Sequence, residues 1–131
     1  MKNILLIGGS YGIGANIASQ LTENNNVIIA SRSNENIPTG VTYHQFDAST
    51  DTINAIDLPD TIHGLVYCPG SINLKPFSML KPEAFEKDLH INFMALVSIL
   101  KDLEGKLKAA ENASIIVFST CLLYTSPSPR D

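Results

Sequence analysis

Residues 4–14, ILLIGGSYGIG, determine the fold that the sequence predicts. The first four are continuously apolar, as in a strand buried on both faces of a parallel sheet, and glycines follow at once. Beyond these glycines, apolar residues recur every four positions, as on one face of a helix, at Ile13, Ile17 and Leu21. A second apolar run, Val27 to Ala30, comes next. These segments therefore predict a βαβ unit with a right-handed crossover.

The same alternation continues along the chain. Further strands are predicted at residues 41–46, 62–68 and 114–118, with a weak helical stretch at about residues 50–56. A long helix is predicted from Pro82, because the first turn of a helix tolerates proline, to about Ala109. This alternation predicts an α/β fold, a three-layer Rossmann-type doubly wound parallel sheet within residues 1–120 that is truncated after its fifth strand.

The composition limits the class of protein. With 131 residues, 44% of them hydrophobic and 17% charged, the chain is expected to form one globular domain. The net charge of −4 and the lack of a basic run argue against a nucleic-acid partner, and no apolar run reaches the roughly 18 residues of a membrane helix. Two cysteines and three scattered histidines match neither a disulfide framework nor a metal site. We therefore expect a soluble cytoplasmic protein without a metal.

The glycine turn after the first strand is the candidate binding site, because a parallel sheet leaves a crevice beyond the carboxyl ends of its strands. Gly8 allows a sharp turn, Gly12 lets a diphosphate approach the backbone, and Gly14 lets the helix pack closely. The helix N-terminus offers free amides to phosphates. The remaining candidates in this loop are Ser10, Tyr11 and Ile13. The spacing is GxxxGxG rather than GxGxxG, so a plain tight turn is the alternative.

The end of the second strand predicts which cofactor binds. Ser31 and Arg32 stand there, with no carboxylate to accept a hydrogen bond from the ribose hydroxyl of NAD. A forked guanidinium suits the 2′-phosphate of NADP, so NADP is favoured over NAD. The alternative is an exposed loop arginine. Asp47, just past the third strand, is a candidate acceptor for the adenine amino group or, equally, a turn or N-cap residue.

Residues 8–14 resemble the TGxxxGIG motif of the short-chain dehydrogenase/reductase family, with Ile7 in place of the threonine. The resemblance covers residues 1–120, the N-terminal half of such a domain. It implies hydride transfer between a nicotinamide cofactor and a carbonyl or secondary alcohol of a small molecule. Arg32 matches the basic residue of NADP-dependent members, and Asp47 matches the aspartate that contacts adenine.

The resemblance also implies a catalytic set. Asn92 matches the active-site asparagine, and Thr120, with Ser119 before it, stands where the catalytic serine is usual. Asn92 falls within an apolar stripe of the predicted long helix, so it is expected to face the core; a bond to a backbone carbonyl is the alternative role. That stripe is Phe85, Leu89, Asn92, Leu96, Ile99 and Leu103. The YxxxK tyrosine of the family would fall beyond Asp131, so we expect this chain alone to be inactive.

Residues 67–70 depart from the family pattern. The NNAG of the family is replaced by Tyr67-Cys68-Pro69-Gly70, in which only the glycine is kept. The backbone of Cys68, Pro69 and Gly70, together with Ala48, is still expected to line the cofactor. The departure leaves a second hypothesis open, a non-catalytic dinucleotide-binding regulator or redox sensor.

Two expectations concern the whole protein. The predicted long helix is also apolar on its other side, and the resemblance implies that it forms part of a dimer interface, so the full-length parent is expected to be a homodimer or homotetramer. In the present chain the same surface is expected to be bare and prone to aggregation. The last eleven residues, CLLYTSPSPRD at 121–131, suit a flexible tail or, as we prefer, resemble a translated sequencing adapter. The native part of this chain is then expected to end at Thr120.

Overall fold

A computed structural model of the chain describes residues 1–8, 12–35, 37–69, 77–79 and 81–118, with only the backbone at Gly12, Ile13 and Phe77. The five strands are β1 (Lys2–Ile7), β2 (Asn25–Ser31), β3 (Thr42–Gln45), β4 (Gly64–Tyr67) and β5 (Ser114–Val117). The α-helices are α1 (Gly12–Leu21), α2 (Pro82–Leu89) and α3 (Ala95–Ala109). A π-turn, His90–Met94, joins α2 to α3, and single 3-10 turns occupy Ile53–Ala55 and Phe77–Met79.

The strands form one parallel sheet in the order β3-β2-β1-β4-β5. The chain starts at the central strand β1, adds β2 and β3 on one side, and then crosses to add β4 and β5 on the other. The strand order therefore reverses between β1 and β4, which is where ligands bind in sheets of this kind. The predicted doubly wound α/β fold is confirmed.

The core lies on both faces of the sheet because neighbouring strand residues point in opposite directions. Leu5 and Ile7 of β1 belong to the cluster that Leu96, Ile99 and Leu103 of α3 help to form. Leu6, between them, belongs to the cluster on the other face, where Ala18 of α1 packs. The continuous apolar run of β1 thus supplies two hydrophobic layers, as predicted for a buried parallel strand.

Several predicted elements are shorter in the structure. Strand β3 keeps only part of the predicted 41–46, and β4 only part of 62–68. The helical stretch predicted near residues 50–56 is a single 3-10 turn in which only Ile53 is buried. Its flanks are rich in Asp, Ser and Thr, whose side chains bind nearby backbone groups and so favour turns over helix.

The predicted long helix is interrupted by the π-turn, and this overturns half of the predicted apolar stripe. The α3 half is buried, but Phe85 and Leu89 are 45% and 58% exposed, and Asn92 is exposed too. A π-turn inserts an extra residue and so rotates the preceding helix relative to the following one. The partly buried positions before α3 are Ala84, Asp88 and Ile91, each one residue earlier than predicted.

Strand β5 is one edge of the sheet and is exposed on both faces. Its apolar residues, together with Phe118 directly after the strand, are 43% to 50% exposed. The expectation of bare apolar surface is therefore confirmed, here and on the exposed helical residues Leu89, Phe93 and Met94. Within the described ranges, no helix combines the length and the apolar character that a membrane crossing requires.

Candidate functional site

The turn after β1 is built around Gly8. Its φ of +80° lies in the left-handed region that favours glycine. The Gly8 amide donates a 2.8 Å hydrogen bond to the Ala30 carbonyl of β2. On its other side, a Cβ at Gly8 would lie 3.2 Å from the Pro69 ring. Gly8 therefore turns sharply in a space that is bounded by the ends of β2 and β4.

Helix α1 begins at Gly12, four residues after Gly8, and Gly14 in its first turn is buried. The first amides of a helix have no partner within it, so they point out of its N-terminus and are available to an anion. Here that end of the helix follows the carboxyl end of the central strand. Ser10, Tyr11 and the side chain of Ile13 lie outside the described residues.

Ser31, the last residue of β2, is buried and hydrogen-bonded. Its hydroxyl donates to the Ser33 carbonyl at 2.8 Å, and its carbonyl accepts from the Phe46 amide and the Tyr43 hydroxyl. These bonds fix the chain where it leaves β2. The next residue, Arg32, is exposed at the carboxyl edge of the sheet.

The loop after β3 is organised by Asp47. Its Oδ1 accepts 2.9 Å and 2.6 Å hydrogen bonds from the amide and the hydroxyl of Ser49. Those two bonds, and less strongly the positive charge of Arg32, hold the pKa of Asp47 below its ordinary value. Asp47 therefore acts as a turn residue in this loop. A carboxylate has about four acceptor positions, so an adenine amino group can still be accommodated.

Two further residues complete this edge of the sheet. Ala48 is partly buried and packs against the core cluster beneath the loop. At the end of β4, the Cys68 amide donates to the Ile7 carbonyl at 3.0 Å, which holds Pro69 beside Gly8. Burial raises the pKa of the Cys68 thiol to about 11, so the thiol is neutral at physiological pH. Gly70 lies outside the described residues.

Asn92 lies in the π-turn rather than on the core-facing stripe, so the prediction that it faces the core was wrong. The π-turn is tied to the end of β4, because the Tyr67 hydroxyl donates a 2.6 Å hydrogen bond to the Ile91 carbonyl. Asn92 is therefore held near the carboxyl edge of the sheet, on the side of the candidate site. Ser119 and Thr120 lie outside the described residues.

Residues that the sequence did not mark also contribute to this edge. Tyr67 lies within the segment that departs from the NNAG pattern, and that departure is its only sequence signal. Ser49 and His90 carry no motif at all. His90 Nε2 contacts the Ser49 carbonyl at 2.7 Å and thus joins the π-turn to the loop after β3.

An open groove at the opposite edge of the sheet is a less suitable site. It is lined by the N-terminal parts of β2 and β3 and by residues 57–60. Asp57 and Asp60 would repel the phosphates of a dinucleotide. Among the described residues, no three His, Cys, Asp or Glu side chains are grouped as metal ligands would be.

Comparison with known proteins agrees with this geometry. The family model for short chain dehydrogenase matches residues 2–122. No curated protein sequence matches the chain. A short chain dehydrogenase family protein from Francisella tularensis has a similar fold, with a TM-score of 0.83, 24% identity, and coverage of 98% of this chain and 55% of the other.

Two further solved structures have the same fold. A short chain dehydrogenase/reductase from Saccharomyces cerevisiae has a TM-score of 0.78 and 22% identity, covering 95% of this chain and 56% of the other. An oxidoreductase from E. coli has a TM-score of 0.80 and 19% identity, covering 97% and 61%. The chain thus spans 55% to 61% of the length of these relatives. With the family model matched over nearly its whole length, the chain belongs to the short-chain dehydrogenase family.

Proposed function

We propose that the full-length protein is an NADP-dependent oxidoreductase that transfers a hydride between nicotinamide and the carbon of a carbonyl or secondary alcohol. The observation that carries this proposal is the left-handed turn at Gly8, which leads from the central strand towards the N-terminus of α1. The turn lies where the strand order reverses, as expected for a dinucleotide site.

The described residues fit a bound dinucleotide. A side chain at Gly8 would crowd Pro69 and strain the left-handed backbone, so glycine permits the sharp turn there. The amides at the start of α1 would bind that diphosphate, with Gly12, Ile13 and Gly14 in the first turn and Ser10 and Tyr11 in the preceding loop. The nicotinamide supplies the hydride chemistry when it is bound.

The adenosine end would lie beside the ends of β2 and β3. Arg32 would bind the 2′-phosphate, supported by Ser31, which fixes the backbone before it. Asp47 would accept from the adenine amino group, and Ala48 would lie next to the ring. The Cys68-Pro69-Gly70 backbone would line the cofactor from the side of β4.

The protein groups that position substrate are proposed from the family pattern. Asn92 would support the proton path, and Thr120 or Ser119 would hold the substrate oxygen. None of the four tyrosines is followed by lysine four positions later, so the 131 residues alone lack the acid–base pair of the family. We therefore expect this chain to bind the cofactor without turning over substrate.

Three further proposals concern the parent protein. It would act in the cytoplasm on a small molecule, without nucleic-acid or membrane partners, and would assemble as a homodimer or homotetramer. Residues 121–131 would be a non-native tail after residues 1–120, which would form the N-terminal part of a Rossmann NAD(P)-binding domain. Sequencing the source gene past Thr120 tests the tail directly. A different continuation that contains a YxxxK pair supports both the non-native tail and the oxidoreductase function. CLLYTSPSPRD in the genome overturns the non-native tail.

The redox-sensor hypothesis gains no support from Cys68. A sensor thiol reacts as the thiolate, and a pKa of about 11 keeps nearly all of this thiol protonated at neutral pH.

The cofactor proposal is tested by titrating the chain with NADPH and with NADH, using nicotinamide fluorescence. We expect NADPH to bind about tenfold more tightly, because a guanidinium–phosphate contact is a charge-assisted hydrogen bond. Arg32→Ala should remove that difference. The matched control is Lys101→Ala, which removes one exposed positive charge from α3 and should leave both affinities unchanged.

Two outcomes contradict the proposal in different ways. Equal affinities for the two nucleotides, or unchanged NADPH binding by Arg32→Ala, would reject the assignment of NADP. Failure to bind either nucleotide would reject the dinucleotide site itself.

A further inference from the structure

The π-turn is anchored to the sheet through a backbone carbonyl that lacks its usual α-helical donor. The Ala95 amide donates to the His90 carbonyl, five residues back, and not to that of Ile91, four residues back. The Ile91 carbonyl thereby loses its ordinary α-helical donor, and the buried Tyr67 hydroxyl donates to it at 2.6 Å. The first residue of the turn, His90, is thus placed at the carboxyl edge of the sheet.

From that position His90 reaches the loop after β3. Its Nε2 lies 2.7 Å from the Ser49 carbonyl oxygen, 41 residues away in the sequence. A carbonyl can only accept, so Nε2 carries the hydrogen and donates it. The amide and hydroxyl of the same Ser49 donate to the Asp47 carboxylate. One hydrogen-bonded path therefore connects the π-turn, Ser49 and Asp47.

We propose that His90 is a positioning residue for the adenosine end of the cofactor, because it fixes Ser49 and, through it, the carboxylate of Asp47. This inference rests on the proposed function and deepens it. His90 acts through Ser49 and not on the ligand. Without its donor the loop loses its hydrogen bond to the π-turn and its own turn opens more often, so Asp47 binds adenine with a less well-defined orientation.

The contact has little part in holding the core together. His90 and Ser49 are both exposed, and α2, directly before the π-turn, contains no buried residue. A change at His90 should therefore alter the loop without unfolding the domain. This separates a positioning role from a merely structural one.

The experiment compares His90→Ala, His90→Gln and the control Lys87→Ala, an exposed residue of the preceding turn. Two ligands divide the cofactor: adenosine 2′,5′-bisphosphate for the adenosine end and nicotinamide mononucleotide for the other. We expect His90→Ala to weaken binding of the bisphosphate about fivefold, as for the loss of one hydrogen bond. Nicotinamide mononucleotide binding and the urea midpoint should not change. His90→Gln, which keeps a donor, should recover part of the affinity, and Lys87→Ala should bind both ligands as the parent chain does.

A second measurement needs no ligand. The Thr50 and Asp51 amides donate to the Asp47 carbonyl at 3.1 Å and 2.8 Å, so their hydrogen exchange reports on the loop. His90→Ala should raise both exchange rates about fivefold. Unchanged exchange overturns the positioning role, even if the chain binds no nucleotide and the proposed function fails. Equal weakening of both ligands together with a lower urea midpoint would also overturn it, since the contact would then only stabilise the fold.

Discussion

Gly8 combines two constraints that no other residue type satisfies together. Its backbone has a φ of +80°, and an added Cβ would lie 3.2 Å from the Pro69 ring, closer than an ordinary van der Waals contact. The Gly8→Ala variant should therefore lose about 1–3 kcal/mol of unfolding free energy, from left-handed strain and from the displacement of Pro69. Urea denaturation followed by circular dichroism measures this loss.

Gly105 is the matched control. It lies in α3, is exposed, and has no atom within 4 Å of an added Cβ. Gly105→Ala should stabilise the chain by about 0.5–1 kcal/mol, because alanine loses less backbone entropy in a helix. Similar shifts of the same sign in both variants would mean that the Gly8 turn is not constrained as described.

Tyr67 links stability to alkaline pH. Burial raises its pKa from 10.0 to about 12, so the unfolded chain ionises this phenol first as the pH rises. Its contribution to the unfolding free energy is complete below pH 10 and is lost as the pH rises towards 12. Tyr67→Phe should be less stable at pH 7 by about 1 kcal/mol, for the lost bond to the Ile91 carbonyl.

The difference in unfolding free energy between the parent chain and Tyr67→Phe should then narrow between pH 10 and pH 12. Urea denaturation at a series of pH values measures this difference. Tyr43→Phe, which also removes a hydroxyl bonded to a backbone carbonyl, serves at pH 7 as the comparison for a less buried site. A difference that stays constant up to pH 12 would show that the Tyr67 phenol ionises equally easily in the folded and unfolded chains.

At the scale of elements, the π-turn shows what a periodic pattern cannot reveal. Apolar residues at α-helical spacing predicted one stripe through α2 and α3, and the α3 half of that stripe is buried. The Ala95 amide bonds five residues back, and the Tyr67 hydroxyl of a distant strand donates to the neighbouring Ile91 carbonyl. The displacement of Asn92 by one helical position follows from the π-turn, which the spacing of apolar residues does not reveal.

Strand β5 has an unpaired edge through which two chains can associate. It is an apolar edge strand, SIIV at residues 114–117, with no charge or proline to discourage pairing with another chain. The chain should therefore self-associate through this edge. Ile116→Lys should lower the association constant on the order of tenfold, as measured by sedimentation velocity, because a buried lysine at a strand pairing is unfavourable.

The control for this experiment is Thr42→Lys, which places the same charge on the other edge strand, β3. That variant should self-associate as the parent chain does. A parent chain that remains monomeric at high concentration, or equal effects of the two lysines, would contradict an association driven by β5.

At the scale of the whole molecule, the parts that could be predicted are those encoded by local residue type. The apolar runs of β1 and β2 determine both faces of the central sheet, and the left-handed turn at Gly8 follows from the glycine that ends β1. The contact between His90 and Ser49 could not be predicted, because its acceptor is a backbone carbonyl that every residue possesses. The sheet order is what brings such groups together at one edge.

That arrangement couples ligand binding to global stability, because the candidate site uses the ends of four strands that share the two core clusters. A ligand that binds only the folded chain stabilises it by about 2.7 kcal/mol at a hundred times its Kd. For a domain of this size NADPH should then raise the Tm by about 10 °C. NADH at the same concentration, bound about tenfold more weakly, should give roughly half that rise. Differential scanning fluorimetry measures both, and nucleotide binding without any rise in Tm would mean that the site does not depend on the folded sheet.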